Sequence, residues 1–295
     1  MNKRVLCFGE VLWDTFREGK VAGGAPMNVA MHLRQQGVEA RLASRIGNDG
    51  EGKELRAFLK THNLDSELVQ HDHELPTCVV SVQLDDHQQA TYTIPFPVSW
   101  DNIQAEPALM EAAAEADVIV FGSLVCRHAT SRNTLKQLLK TDALKVFDVN
   151  LRAPHYNPDE IKELGSRSNI IKMNDEELDL LAGSELSHLS QKEKISFIAD
   201  YLGCHTICIT RGNSGAIALL NGHYYEHPGF KVNVVDTVGA GDAFLATFIR
   251  GILADEDPQD ILRKACAIGA FVAGSRGANP VHDPQRIKEI EEPSA

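Results

Sequence analysis

A run of small residues leading into an apolar helix, late in the chain, limits what this sequence can fold into more than any other stretch. In Val234-Val235-Asp236-Thr237-Val238-Gly239-Ala240-Gly241-Asp242-Ala243-Phe244 an apolar, extended lead-in meets two glycines, and Phe244, Phe248 and Ile252 follow at helical spacing. The pattern predicts a loop entering a helix, with Gly239, Ala240 and Gly241 at or before its first turn. The first amides of a helix have no partner inside it, and the macrodipole adds partial positive charge there. Small side chains leave those amides open to a phosphate. Asp242 puts a carboxylate in the same place. A plain phosphate cradle gains nothing from it, whereas a phosphoryl-transfer site gains a group that can accept a proton from an attacking hydroxyl. Taken alone, the stretch also admits a helix start capped by Asp242 after a glycine turn. A dinucleotide-binding fold is a poor match, because its glycine fingerprint follows the first strand and this one comes late. No Gly-x-x-x-x-Gly-Lys-Ser/Thr occurs, which excludes the usual NTPase loop.

Bulk properties narrow the partners. A length of 295 residues with 43% hydrophobic and 24% charged content suits a globular chain with a sizeable core. The formal charge of −12 argues against non-specific nucleic-acid or acidic-membrane binding, so an anionic nucleotide would need a local cradle. Cys7, Cys78, Cys126, Cys204, Cys208 and Cys266 fall mostly inside apolar runs without paired metal-type spacing. They read as reduced, buried thiols of a cytoplasmic protein. The start Met1 to Leu6 faintly imitates a signal peptide, but Gly9, Glu10 and Asp14 break the apolar run. No stretch is long and apolar enough to span a membrane.

Along the chain, Arg4 to Gly9 predicts a buried strand, with Glu10 to Asp14 beyond its carboxyl end, where open α/β sheets place ligands. Gly23-Gly24-Ala25-Pro26 is a turn without bulk, and a helix is expected from Asn28 to Gln36. Glu39 to Ile46 predicts a strand and Glu51 to His62 a helix. Residues 76–100 change character: Thr77 to Leu84, a turn at Asp85 to Gln88, and Ala90 to Ile94 form a hairpin inserted in an otherwise alternating chain. A lone hairpin needs something to pack on: the domain, a ligand or a second subunit. Strands at 118–121, 145–149, 170–173 and 205–210 then alternate with helices, arguing for a mostly parallel sheet with helices on both faces. His71-Asp72-His73, in a polar loop without a partner motif, reads as solvated surface, and Glu291 to Ala295 as a loose tail.

Asp236 to Asp242 resembles the C-terminal signature of the ribokinase-like (PfkB) carbohydrate kinases, and Gly23-Gly24-Ala25-Pro26-Met27-Asn28-Val29-Ala30 resembles their N-terminal one. The resemblance covers nearly the whole chain and implies a single α/β kinase domain over 1–295, with lid segments near 11–23 and 76–99. It implies ATP-dependent transfer to a sugar, with Asp242 as general base and Gly239, Ala240 and Gly241 as an anion hole. In Gly9 to Asp14 and in Pro95 to Trp100 the chain is most similar to bacterial fructokinases, implying D-fructose as substrate. Asp14, Gly24, Asn28, Phe96 and Arg152 would then face the sugar. Thr210, Gly212, Gly215 and Asn279 would face the nucleotide. Asn174 and Glu177, three apart and on one helical face, would order Mg²⁺ through water and phosphate. Asp236, Val238 and Gly277 resemble a K⁺ loop, although Val281 stands where some relatives carry a hydroxyl residue. The family also implies a homodimer through the lid.

Two further readings stay open on the residues. Ribose, 2-keto-3-deoxygluconate and nucleoside kinases share these motifs. A non-catalytic sugar binder needs only the lid and pocket, but gains nothing from keeping Asp242 beside the anion turn. The helix dipole predicts a readily ionised Asp242.

Overall fold

The computed structural model describes residues 3–16, 19–64, 67–84 and 90–292. Side chains of residues 82–84 and 90–92 are outside that description, and so are the turn expected at Asp85 to Gln88 and the last three residues of the expected tail.

The strands are β1 (Arg4–Phe8), β2 (Leu12–Phe16), β3 (Gly19–Gly23), β4 (Glu39–Gly47), β5 (Val69–Asp72), β6 (Val79–Leu84), β7 (Ala90–Thr93), β8 (Val118–Gly122), β9 (Leu144–Asp148), β10 (Ile170–Asn174), β11 (Ile207–Thr210), β12 (Ala216–Leu220) and β13 (His223–His227). Nine of them form one sheet in the order β13-β12-β11-β10-β9-β8-β1-β4-β5. All neighbours from β11 to β5 run parallel, and β12 and β13 close the sheet antiparallel. Its central strands are mostly apolar because both faces are covered, with Lys172 and Asp148 as buried charged exceptions. Alternate residues go to opposite sides: Leu6, Phe8, Phe121 and Phe147 join one core, and Val5, Cys7, Val118, Val120 and Val146 the other. All six cysteines are free and buried.

The helices are α1 (Ala25–Gln35), α2 (Gly50–Thr61), α3 (Pro107–Glu115), α4 (Ala129–Leu138), α5 (Pro158–Ser166), α6 (Asp175–Ala182), α7 (Gln191–Leu202), α8 (Ala240–Leu253), α9 (Pro258–Ala273) and α10 (Pro284–Glu291). Helix α1 begins three residues before the expected Asn28, because Pro26 suits a first turn that needs no amide there. The segment expected to be a loose tail from Glu291 instead begins inside the end of α10.

The second sheet, in the order β3-β2-β6-β7, is the small lid. Trp13 turns one side of β2 into the body, buried, with its indole N–H donating to the Glu51 carbonyl at 3.1 Å. Asp14, one residue on, points the other way. One short strand that escaped the sequence reading is β5. Strand β5 lies where the polar loop was expected, and Asp72 is 2% exposed rather than solvated. It accepts from Arg45 Nε at 2.7 Å, Asn102 Nδ2 at 2.9 Å, and the amides of Glu74 and Leu75. That set satisfies a buried carboxylate and holds its pKa down to about 2 against burial.

Candidate active site

The parallel strands end at one edge, and the predicted site residues collect there. Gly239 caps the start of helix α8, and its φ of 79° is left-handed. A Cβ at Gly239 would sit 2.5 Å from the Ala278 carbonyl oxygen, so only glycine lets the turn lie on that segment. The amide of Ala240 donates to the Thr237 carbonyl at 3.3 Å and is therefore already engaged in closing the turn. Among the described residues, the amides of Gly239 and Gly241 donate to no protein acceptor. The open part of the anion turn is thus narrower than the three amides expected.

Asp242 sits in the first turn of α8 and is half-buried. Its Oδ2 accepts from Asn28 Nδ2 at 2.7 Å, while Asn28 Oδ1 accepts from Asn279 Nδ2 at 2.7 Å. This chain fixes the orientation of the Asn28 amide and of the carboxylate. Asn279, expected on the nucleotide side, turns its amide nitrogen to Asn28 and leaves its Oδ1 buried without a hydrogen-bond partner. The helix dipole is not the only influence on the ionisation of Asp242. Burial raises its pKa, and the charges of Lys172 and Arg152 and the Asn28 hydrogen bond only partly offset that.

Lys172, on β10, was not singled out from the sequence. It is 7% exposed, with its Nζ 3.1 and 3.2 Å from the two oxygens of Asp148. The same ammonium lies 3.2 Å from where a Cβ on Gly241 would be, placing a buried cation directly behind the anion turn. Burial would lower its pKa, but Asp148, Glu177 and Asp242 more than compensate and it is raised. Glu10 was also missed. It is 3% exposed, its Oε2 has no hydrogen-bond partner, and burial pushes its pKa up to about 7. Asp14 is pushed up to about 6, again by burial, with Arg152 opposing. The exposed Arg152 is thus the cation that lowers Glu10, Asp14 and Asp242 together. Gly24 has a φ of 117°, and a Cβ there would meet the Glu10 carbonyl oxygen at 2.4 Å. Phe96 is 56% exposed, 5.2 Å from the Arg127 guanidinium.

Asn174 and Glu177 form a capping box at the start of α6. Asn174 Oδ1 accepts from the Glu177 amide at 2.7 Å, and Glu177 Oε2 from the Asn174 amide at 2.9 Å. Glu177 Oε1 also accepts from the Leu151 amide at 2.7 Å, tying α6 to the loop that carries Arg152. Both carboxylate oxygens keep a lone pair, enough to orient water around a cation. Among the described residues no group of three or more His, Cys, Asp or Glu side chains could hold a metal by itself. Asp236 accepts from the amides of Val238 at 3.0 Å and Gly277 at 3.3 Å.

A cavity of about 890 Å³ opens beside the anion turn, lined by Asn174, Thr210, Gly212, Gly215, Ala240 and Gly241 among others. Gly215 holds a φ of 80°, and a Cβ there would collide with the His227 carbonyl at 2.0 Å. The cavity is large enough for a nucleotide. Among the described residues no helix is long and apolar enough to cross a membrane.

Comparison with known proteins gives the family and the fold. Residues 2–285 match the model of the pfkB family carbohydrate kinases. An uncharacterised sugar kinase from Pyrococcus horikoshii is 30% identical over 240 residues, covering 79% of this chain and 74% of its own. Its crystal structure with ATP superposes with a TM-score of 0.77 at 27% identity, covering 93% of this chain and 94% of that one. The fructokinase of Klebsiella pneumoniae is 26% identical over 303 residues, 94% of this chain and 95% of its own. A doubly substituted fructokinase from Vibrio cholerae, bound to fructose, ADP and potassium, gives a TM-score of 0.84 at 22% identity over 99% of both chains, a likeness of fold. With a carboxylate, an anion turn and a nucleotide-sized cavity meeting at one sheet edge under a β-lid, and with the family match spanning almost its full length, the chain belongs to the pfkB family of carbohydrate kinases, phosphotransferases with an alcohol group as acceptor.

Proposed function

We propose that the chain is an ATP-dependent fructokinase, making fructose 6-phosphate, with Asp242 as general base. The observation that carries this reading is the Asn279–Asn28–Asp242 chain, which aims one carboxylate at the mouth of the anion turn. With Oδ2 held by Asn28, Oδ1 is left to take the proton of the sugar hydroxyl as it attacks the γ-phosphate. The amides of Gly239 and Gly241 stabilise charge gathering on the phosphoryl oxygens, and the ammonium of Lys172 adds to the same field from behind. Mg²⁺ ordered through water by Asn174 and Glu177 would neutralise the β- and γ-phosphates. Asp14, Gly24, Asn28, Phe96 and Arg152 surround the sugar. Thr210, Gly212 and Gly215 line the nucleotide. The raised pKa of Asp242 makes it a better base than a free aspartate, in keeping with its proposed task.

Fructose is favoured over the other sugars of the family because curated fructokinases from bacteria and plants match 94% of the chain. Structures of a 2-dehydro-3-deoxygluconokinase and an aminoimidazole riboside kinase share the fold at 17% and 23% identity, so a sugar acid or a nucleoside is the second reading. A K⁺ ion held by Asp236 and the backbone of Val238 and Gly277 belongs to this reading, but Val281 stands where some relatives carry a hydroxyl residue, so we expect little dependence on K⁺. The lid sheet is proposed to pair with its twin in a homodimer, and six buried free thiols suit a reducing cytoplasm. Sedimentation of the pure protein as a monomer would end the dimer proposal.

A panel of sugars with Mg-ATP, followed by NMR of the product, tests the substrate. Phosphorylation of fructose alone, at its primary hydroxyl, is the expected result. Asp242→Asn should lower kcat by about three decades while ATP still binds, judged by removal of a general base. Near-normal turnover in that variant would refute the mechanism.

A further inference from the structure

Two histidines far apart in sequence meet behind the proposed base. His32, on α1, is fully buried, with its Nδ1 2.9 Å from His282 Nε2 and its own Nε2 2.9 Å from the Ala278 carbonyl oxygen. The ring planes differ by 19° and their centroids are 5.1 Å apart. With two ring nitrogens only 2.9 Å apart, that centroid spacing is one of rings meeting edge to edge, so the contact is an in-plane hydrogen bond and not a face-to-face stack. Burial holds both rings down to about 4, which keeps them neutral at working pH.

Neutrality makes the proton positions follow from the partners. The Ala278 carbonyl only accepts, so His32 carries its proton on Nε2. Its Nδ1 is then the acceptor, and His282 must donate from Nε2. The relay therefore runs in one direction, from His282 through His32 to Ala278.

Ala278 is the residue on which Gly239 rests, the Cβ of a substituted Gly239 meeting its backbone and side chain at 2.5–2.7 Å. The next residue, Asn279, donates to Asn28, which lies one turn before His32 on α1 and in turn donates to Asp242. Gln35, one turn further along α1, completes the fastening. Its Oε1 accepts from the His282 amide at 2.8 Å, and its Nε2 donates to the Pro280 carbonyl at 3.2 Å.

We propose that His282 and His32 form a positioning clamp that seats the Ala278–Asn279 segment between α1 and the anion turn, and so sets the aim of Asn28 and Asp242. The inference rests on the role assigned to Asp242 under Proposed function. Neither histidine reaches a substrate. They act through Asn279 and Ala278, each hydrogen bond removing one degree of freedom from the segment.

His282 is the residue to change, because it is only half-buried and its loss leaves the core intact. His282→Ala should raise KM for the sugar and lower kcat, each by about tenfold, the scale of one lost hydrogen bond in a positioned site. KM for ATP and the melting temperature should change little. His282→Gln, whose amide can donate to His32 Nδ1, should recover most of the loss. Unchanged kinetics in His282→Ala would overturn the clamp. So would a loss that tracks a falling melting temperature and is not recovered by glutamine.

The proton assignment is checked without catalysis by ¹⁵N NMR of the histidine rings in the intact protein. Both should be Nε2–H tautomers at neutral pH, and an Nδ1–H tautomer at His32 would overturn the relay. If Asp242→Asn keeps its turnover while the tautomers are as assigned, the role of Asp242 fails and the clamp stands as a geometric fact. If the tautomers differ while Asp242→Asn is inactive, the reverse holds.

Discussion

At the scale of single residues, the site concentrates carboxyl groups that are costly to ionise. Glu10 is the clearest, with one oxygen buried and unpartnered and a pKa of about 7. In the unfolded chain it would titrate near its ordinary value of 4.5. Between those two values the folded state binds more of this proton than the unfolded state does. Stability contributed at Glu10 therefore falls as pH rises through that window and stays low above it. Glu10→Gln keeps the shape and removes the titration. The variant should gain about 2–3 kcal/mol relative to the parent between pH 5 and pH 8, the scale of a shift of this size. Denaturant unfolding at the two pH values measures it, and a parallel pH dependence in both proteins would show that the fold does not shift the titration of Glu10. Asp242 and the glycines around it were legible in the sequence because they are neighbours in one short motif. Lys172, Asp148 and Glu10 were not. Lys172 and Asp148 come from different strands, and the register of β10 on β9 that pairs them has no trace in either strand alone.

At the scale of elements, the anion turn depends on a loop that follows another helix. Gly239 caps the start of α8, yet the residue that forbids it a side chain is Ala278, beyond α9. An alanine at 239 would have to hold a left-handed φ of 79° and also displace the Ala278 backbone. Both costs fall on the same turn. Gly239→Ala should lower kcat by about a hundredfold, comparable with losing one donor of an anion hole, and should destabilise the fold by about 1–3 kcal/mol. Steady-state kinetics and thermal melting check the two parts, and a variant with unaltered kcat would show that the turn tolerates displacement. The parallel strands were readable for the opposite reason: buried on both faces, they show as unbroken apolar runs such as Val118 to Phe121. Strand β5 was hidden because a four-residue edge strand carrying Gln70, His71 and Asp72 has the composition of a loop. Its Asp72 is buried by long-range partners at Arg45 and Asn102 that local pattern does not reveal.

At the scale of the whole molecule, the lid approaches the segment that supports the anion turn. Val21 on β3 is 43% exposed, yet its Cγ1 is the nearest atom to a Cβ placed on Gly277, at 4.0 Å. Gly277 in turn donates to Asp236 and leads into Ala278, under the anion turn. Phe16 and Val21 lie on the same side of the lid as Asp14, and both are half in solvent, so that side has apolar area still to be covered. A sugar drawn in by Asp14 would bring this side down on the cleft and press Val21 onto the segment that supports Gly239. Closure should therefore help the site hold a nucleotide, and by reciprocity a bound nucleotide should help it hold the sugar by the same factor. Calorimetry with a non-hydrolysable ATP analogue, with and without saturating fructose, should give affinities differing about 5- to 100-fold, the range of a coupling between neighbouring sites. Val21→Ser should shrink that factor while leaving the affinity for the analogue alone nearly unchanged, because Val21 does not line the nucleotide-sized cavity. Equal affinities with and without sugar in the parent protein would mean that the lid covers one substrate without informing the other.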